Sequence, residues 1–401
     1  MNYQTIVDTE QQYGAHNYTP LEGVAIERGE GLWLYDVSGR RYLDCLSAYS
    51  AVSQGHCHPR LVKAMTEQAQ TLTLCSRAFR NTRFASFLLL LHELTGYDKA
   101  LPMNSGAEAV ETAIKLVRKW AYLKKGVPDG QAEIIVCQNN FHGRTTTLIS
   151  MSTEPQYRAH FGPHTPGFKV VPFGEAQAIE AAITPQTAGV LLEPIQGEGG
   201  VHVPPAGYLR QIREICTRHN VLFMADEIQT GLGRTGRFFA CDHEDVRPDV
   251  MILGKALSGG FYPVSATLAD DPVMEVFQPG DHGSTFGGNP LGCAMAEEAL
   301  RIIIDEGLVE NSANMGQYFL ERLAEIPSPH VKEVRGKGLL IGVEVNEAAG
   351  GAKRFCHALR DQGILCKDTH YTVIRFAPPL TIDRQTIDWA IPRITEVLNM
   401  P

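Results

Sequence analysis

VLFMADEIQTGLGRTGRFFACDHEDVRPDVMILGKALSGG, residues 221–260, holds two short apolar runs, each halted by a polar residue or a glycine. The first, Val221 to Ala225, stops on Asp226; the second, Val250 to Leu253, runs into Gly254 and Lys255. Runs this short and this apolar fit strands buried on both faces of a parallel sheet. Ligands of such sheets sit beyond the carboxyl ends of the strands, where Asp226 and Lys255 both project. A carboxylate there can pair with a pyridinium nitrogen, and an amine can form a Schiff base with an aldehyde. Together they grip two ends of one aromatic ring, the arrangement used with pyridoxal 5'-phosphate. The plainer alternative is a solvated lysine in a glycine-rich loop and an aspartate capping a turn.

Two other patterns in the chain point elsewhere and lack support. Gly231-x-Gly233-x-x-Gly236 has dinucleotide-fingerprint spacing, but that motif needs a helix opening directly behind it. Arg237-Phe238-Phe239 and a charged run without helical periodicity follow instead. His56-Cys57-His58 suggests a metal cluster, yet no further ligand pattern lies nearby and Pro59 leads into a helix, so no metal site is predicted.

At 401 residues, the chain is long enough for two or three domains, or one large domain with a satellite. With 44% hydrophobic and 20% charged residues, it has the balance of a soluble globular protein. A formal net charge of -9 argues against nucleic acid or an anionic membrane as a partner, so an anionic ligand must be held by local donors. The N-terminus lacks the pattern of a secretory signal, and the apolar run Phe87 to Leu91 is far too short to span a bilayer. The 9 cysteines include no C-x-x-C pair, which predicts reduced thiols and a cytoplasmic location.

Outward from the opening stretch, residues 24–45 alternate apolar and polar around Gly/Asp turns and predict a small antiparallel meander. Pro59 opens a helix with Leu61, Val62, Met65 and Ala69 at helical spacing. Ser105-Gly106-Ala107 opens another helix, a seat for phosphate or simply a serine N-cap. The strand Glu133 to Val136 leads into Asn139–Thr145, where Phe141 can lie on a ring and Arg144 can take a carboxylate; core packing and a surface ion pair are the alternatives. The strand Gly189 to Leu192 ends in a flexible loop with two carboxylates, Glu193 and Glu198, which packing does not readily explain. His282 to Asn289 is a further loop of small donors suited to phosphate. From Pro290 onward, a long helix and then alternating short strands and helices predict an α+β terminal domain. Arg375, a charge inside an apolar strand, requires a structural or substrate partner.

The blocks SAYSAVSQGHCHP, NSGAEAVETAIKLVRKWAY, NNFHGRT, LLEPIQGEGG, ADEIQTGLGRTGRFFACD, HGSTFGGNPLGCA and VIRFAPPL occur in the order found in class III, fold type I pyridoxal phosphate-dependent aminotransferases. The chain resembles that family over essentially its whole length. The resemblance implies an α/β fold with a mostly parallel central sheet in a large domain, 49–298. A smaller α+β domain would be built from both termini, 1–48 and 299–401.

The resemblance also implies residue roles. Lys255 is the Schiff-base lysine and Asp226 the pyridinium partner. Gln229 lies by the phenolic oxygen, Ile228 and Phe141 lie on opposite ring faces, and Glu193 sits below the cofactor. Gly106 and Ala107, with Ser105 beside them, bind phosphate. Ser284 and Thr285 reach the phosphate of a neighbouring subunit, which implies a homodimer with shared active sites or a higher oligomer.

Within the family, the blocks are most similar to members that move the δ-amino group of ornithine to 2-oxoglutarate. Acetylornithine, 4-aminobutyrate or another ω-amino acid is the alternative donor. Tyr49 and Arg144 then hold the α-amino and α-carboxylate ends of ornithine. Glu198 neutralises Arg375 until the oxo acid arrives. Two positions depart from the ornithine-using pattern: Arg80 stands where an aromatic or His residue lines the distal pocket, and Gly199 replaces a common Ala.

Overall fold

The computed structural model describes residues 1–401. Its central sheet has seven strands in the spatial order Lys99–Met103, Ser265–Ala269, Val250–Leu253, Leu222–Asp226, Thr187–Leu192, Glu133–Cys137 and Phe168–Val171. Only Ser265–Ala269 runs antiparallel to its neighbours; the remaining pairings are parallel. The three middle strands are buried at every position, which explains their unbroken apolar runs.

Alternate residues of the strands feed two separate cores. On one face, Ile134, Leu191, Met224 and Ile252 meet Val110, Ile114 and Val117 of helix Gly106–Trp120. On the other, Ile135, Val190 and Phe223 meet Ile212 and Ile215 of helix Tyr208–Arg218. Gly106–Trp120 starts where it does because Ser105 and Glu108 form a reciprocal capping box.

The predicted meander forms as strands Ile26–Glu30, Trp33–Asp36 and Arg41–Asp44, and Ile364–Leu365 adds in parallel beside Leu43 and Asp44. Segments from both ends of the chain thus share one sheet. A third sheet orders Val331–Lys337, Leu340–Val345, Val373–Phe376 and Lys367–Thr369. In it, Arg375 stands opposite both Gly342 and Lys367.

Helix Pro59–Thr71 departs from the expected burial pattern. Leu61 and Gln68 are buried, but Val62 and Ala69 are exposed. Only the Leu61 side meets the interior, where the side chain fits the space left by Gly259: a Cβ there would come within 2.5 Å of Leu61. His56 bonds Asp44 at 2.7 Å, and His58 caps Arg60 and pairs with Glu306. Behind Gly236 the chain enters only a short 3-10 turn, Ala240–Glu244.

Candidate active site

Asp226 ends one strand opposite Ile252 of the next, and Lys255 follows three residues later. Lys255 adopts φ 44, a left-handed conformation that costs a non-glycine residue about 1 kcal/mol or more. The half-buried amine lies near enough to Glu198, Arg375, Asp226 and Glu193 to feel their charges. Burial, reinforced by the Arg375 charge and opposed by that of Glu198, lowers the amine's pKa and favours its neutral form.

Asp226 is held on both oxygens. Oδ1 accepts the Ile228 N–H at 3.1 Å, and Oδ2 lies 2.7 Å from His142 Nδ1. His142 was not among the sequence-predicted site residues, although it sits inside the NNFHGRT block between two that were. Its side chain is fully buried, and Nε2 has no partner. Burial acts to lower its pKa, but the Asp226 bond and charge outweigh burial, and the net shift is upward. Beside this pair, burial pushes the Glu193 carboxyl up to about 7. Its oxygens accept the Phe141 N–H at 3.0 Å and the Gly197 N–H at 3.4 Å.

Between these groups and the helix start lies a slot walled by Ile228. A Cβ on Gly106 would come within 3.0 Å of Ile228 Cδ1, and one on Gly254 within 3.3 Å of Cγ2. Two glycines therefore set the closeness of approach. At the helix start, Ser105 Oγ accepts the Glu108 N–H and its carbonyl accepts that of Ala109. The N–H groups of Gly106 and Ala107 precede any intrahelical acceptor and remain for an anion. Phe141 meets Tyr157 edge-on, with ring centroids 6.2 Å apart. A flat ring with a protonated nitrogen at one end and a phosphate at the other matches these donors, walls and charges.

The far end of the slot is charged. Arg375, 1% exposed, pairs through Nη1 with Glu198, while its Nε and Nη2 have no partner. The Tyr49 ring lies 5.2 Å from the guanidinium. Tyr49 sits in a run of four left-handed residues, Ser47 to Ser50, with φ of 49, 48, 61 and 72. Asp44 Oδ1 holds the entrance to that run by accepting the Leu46 and Ser47 N–H groups at 2.8 Å each. Gln229 reaches the Tyr49 carbonyl at 3.5 Å, and a Cβ on Gly197 would fall 1.5 Å from Gln229 Oε1. Arg144 is exposed, stacks 3.5 Å over Tyr157 and has no carboxylate partner within the chain.

Asp226, Ile228, Gln229, Lys255, Glu193, Phe141, Gly106, Glu198, Arg375 and Tyr49 thus gather in one place. Ser284 and Thr285 stand differently. Ser284 Oγ accepts from Asn104 Nδ2 at 2.9 Å and from the Gly287 N–H at 3.0 Å, while Thr285 is exposed. Both line an open hollow of about 700 Å³ with Leu74, Ser76 and Arg77. Arg80 is exposed and bonds to no other side chain. At position 199, a Cβ would lie 2.8 Å from the Asn139 carbonyl oxygen, so this backbone has no room for the alanine common elsewhere.

Comparison with known proteins agrees with this geometry. The chain is 58% identical over 389 residues to an ornithine aminotransferase of Bordetella pertussis, covering 97% of this chain and 94% of that one. The crystal structure of the ornithine aminotransferase from Toxoplasma gondii superposes with a TM-score of 0.97 at 44% identity, over 99% of this chain and 95% of the other. An acetylornithine aminotransferase from Elizabethkingia anophelis gives a TM-score of 0.90 at 46% identity, over 99% of each chain. The family model for Aminotransferase class-III matches residues 13–398, and the chain belongs to the class III aminotransferases.

Proposed function

We propose that this aminotransferase moves the δ-amino group of L-ornithine to 2-oxoglutarate, giving glutamate 5-semialdehyde, which cyclises to pyrroline-5-carboxylate, and glutamate. The observation that carries the substrate reading is the pairing of Glu198 with Arg375 beside an unpaired Arg144. Ornithine, entering amine first, brings one carboxylate and a second ammonium group; 2-oxoglutarate brings two carboxylates. A site with one free arginine and one masked arginine suits both. Arg144 takes the carboxylate remote from the reacting carbon, the α-carboxylate of ornithine or the γ-carboxylate of 2-oxoglutarate, with Tyr49 at the α-amino group of ornithine. Glu198 neutralises Arg375 in the first half-reaction and swings away in the second, so that Arg375 clamps the α-carboxylate of the oxo acid. The 53–58% identity to relatives named ornithine aminotransferases supports the same choice.

The residues fit pyridoxal 5'-phosphate. Gly106 and Gly254 let Ile228 pack closely enough to wall one face of a ring, and the oriented Asp226 carboxylate would meet a ring nitrogen. Phe141 covers the other face, Gln229 lies by the phenolic oxygen, and Glu193 sits below. Ser105, Gly106 and Ala107 take the phosphate. Ser284 and Thr285, on their exposed loop, serve the phosphate of a second subunit in a homodimer. When bound, the cofactor supplies an aldehyde that takes the substrate amine and a ring that accepts the electrons of the broken C–H bond.

The chain's own groups do the rest. Lys255, whose amine is tilted towards the neutral form, would take the proton from Cδ of ornithine and return it to the aldehyde carbon that the cofactor supplies. Asp226 keeps the ring nitrogen protonated, and His142 keeps Asp226 in place. The test is a coupled assay of purified protein with ornithine and 2-oxoglutarate, with pyrroline-5-carboxylate expected. The likeness to an acetylornithine aminotransferase, and Gly199 in the loop, favour one second reading. Faster half-reaction with acetylornithine or 4-aminobutyrate than with ornithine would select it.

A further inference from the structure

The glycine-rich motif Gly231–Gly236 carries one residue that the proposed chemistry does not use. Arg234 is 0% exposed and forms no ion pair. Burial pushes its guanidinium pKa down to about 9, with only the charge of Asp44 acting in opposition, so it stays protonated at neutral pH. A buried cation without a counter-ion in contact is costly, and hydrogen bonds must offset that cost.

Its bonds reach three separate segments. Nη1 donates to the carbonyls of Leu339 at 3.0 Å and Pro378 at 2.6 Å, and Nη2 donates to Ser53 Oγ at 2.9 Å. Pro378 lies three residues after Arg375. Leu339 precedes strand Leu340–Val345, whose Gly342 pairs with Arg375. Ser53 lies four residues after Tyr49. Backbone bonds run alongside: Leu339 N–H to the Arg234 carbonyl at 3.0 Å, and the N–H groups of Ala377 and Leu380 to the carbonyls of Cys45 and Ser53 at 2.7 Å each. Gly236 of the motif and Gly338, next to Leu339, admit this closeness. A Cβ on Gly236 would lie 2.9 Å from Ala313 Cα, and one on Gly338 would lie 2.3 Å from the Thr235 carbonyl carbon.

We infer that Arg234 is a positioning residue for the second half-reaction, pinning the strand that bears Arg375 to the segment that bears Tyr49. The inference rests on the proposed ornithine and 2-oxoglutarate chemistry. While ornithine is bound, Arg375 is occupied by Glu198, and a small shift of its strand matters little. When the oxo acid arrives, Arg375 must meet a carboxylate in one orientation, and the same shift is felt in full. Only a planar fork reaches all three acceptors; a lysine presents a single point charge.

The test is single-turnover measurement of each half-reaction in Arg234→Lys holoenzyme. The expected result is a fall in kcat/KM for 2-oxoglutarate of about tenfold or more, carried by KM, with the ornithine half-reaction changed less than about threefold. Ser53→Ala, which removes one of the three side-chain bonds, shifts the ratio the same way by a smaller factor. Equal losses in both halves, or an unchanged oxo-acid value in Arg234→Lys, overturn the inference. If Arg234→Lys does not yield folded holoenzyme, Ser53→Ala decides: a selective rise in KM for 2-oxoglutarate supports the role, and an equal or absent effect overturns it. A wild-type enzyme inert towards ornithine overturns the substrate reading alone, and the ratio is then read with the amine donor it does use.

Discussion

His142 Nδ1 lies 2.7 Å from Asp226 Oδ2, and both side chains are buried. The pair fixes the carboxylate proposed to meet the ring nitrogen of the cofactor. Replacing His142 with Ala leaves Asp226 held only by the Ile228 N–H. A charged hydrogen bond of this kind contributes about 1.5–3 kcal/mol, so cofactor affinity should fall about tenfold or more. Fluorescence titration of the apoenzyme with the cofactor measures it; undiminished affinity in a folded variant would contradict the role.

Glu193 predicts a pH dependence of stability. Its folded-state pKa, raised by burial from 4.5 to about 7, means that the folded chain holds this proton more tightly than the unfolded one. The stabilisation is complete below about pH 4.5 and is lost as pH rises through about 7, a change on the order of 3 kcal/mol. Urea unfolding of wild type and Glu193→Gln across this range should show the variant gaining relative stability with rising pH. Parallel curves would mean that Glu193 titrates alike in the folded and unfolded chain.

Removing the Glu198 carboxylate unmasks Arg375. Glu198→Ala leaves a buried guanidinium with all its donors open, ready to take the carboxylate of ornithine at the wrong end. The ratio of the glutamate to the ornithine half-reaction rate should rise about tenfold or more. Stopped-flow spectra with each amino acid read this ratio, and an unchanged value would separate the pair from substrate choice.

Arg144 is exposed and touches Tyr157 rather than a carboxylate. Arg144→Ala should raise KM for both substrates about tenfold to a hundredfold and leave Tm nearly unchanged, because the lost interactions are with substrate. A large fall in Tm with normal KM would assign the residue to the fold instead.

Gly199→Ala tests the loop that follows strand Thr187–Leu192. The new Cβ would press on the Asn139 carbonyl at 2.8 Å, two residues from Phe141. Overpacking of this kind costs about 1–3 kcal/mol. Thermal melts of the holoenzyme should show lower stability, and weaker cofactor binding should accompany it; a neutral result would show that the loop yields freely.

The ends of the central strands were legible in the sequence for a local reason. A strand buried on both faces is apolar along its whole length, so the polar residue that stops the run marks its end, as Asp226 and Lys255 do. The helix starting at Gly106 was likewise written in a capping box of near neighbours. Other features depended on residues far apart in the chain. His142 is one histidine among 14 until folding sets it against Asp226, 84 positions away. Arg234 matches a nucleotide motif in one dimension, yet its side chain bonds segments 105, 144 and 181 positions distant. The left-handed turn under Tyr49 has no glycine to announce it, and Asp44 holds its entrance by accepting the Leu46 and Ser47 N–H groups. Local spacing determined where these strands end and which polar residues, Asp226 and Lys255, stand at their ends. Only the tertiary structure decided which buried charges face each other, because such pairings are set by long-range packing and leave no periodic trace in the chain.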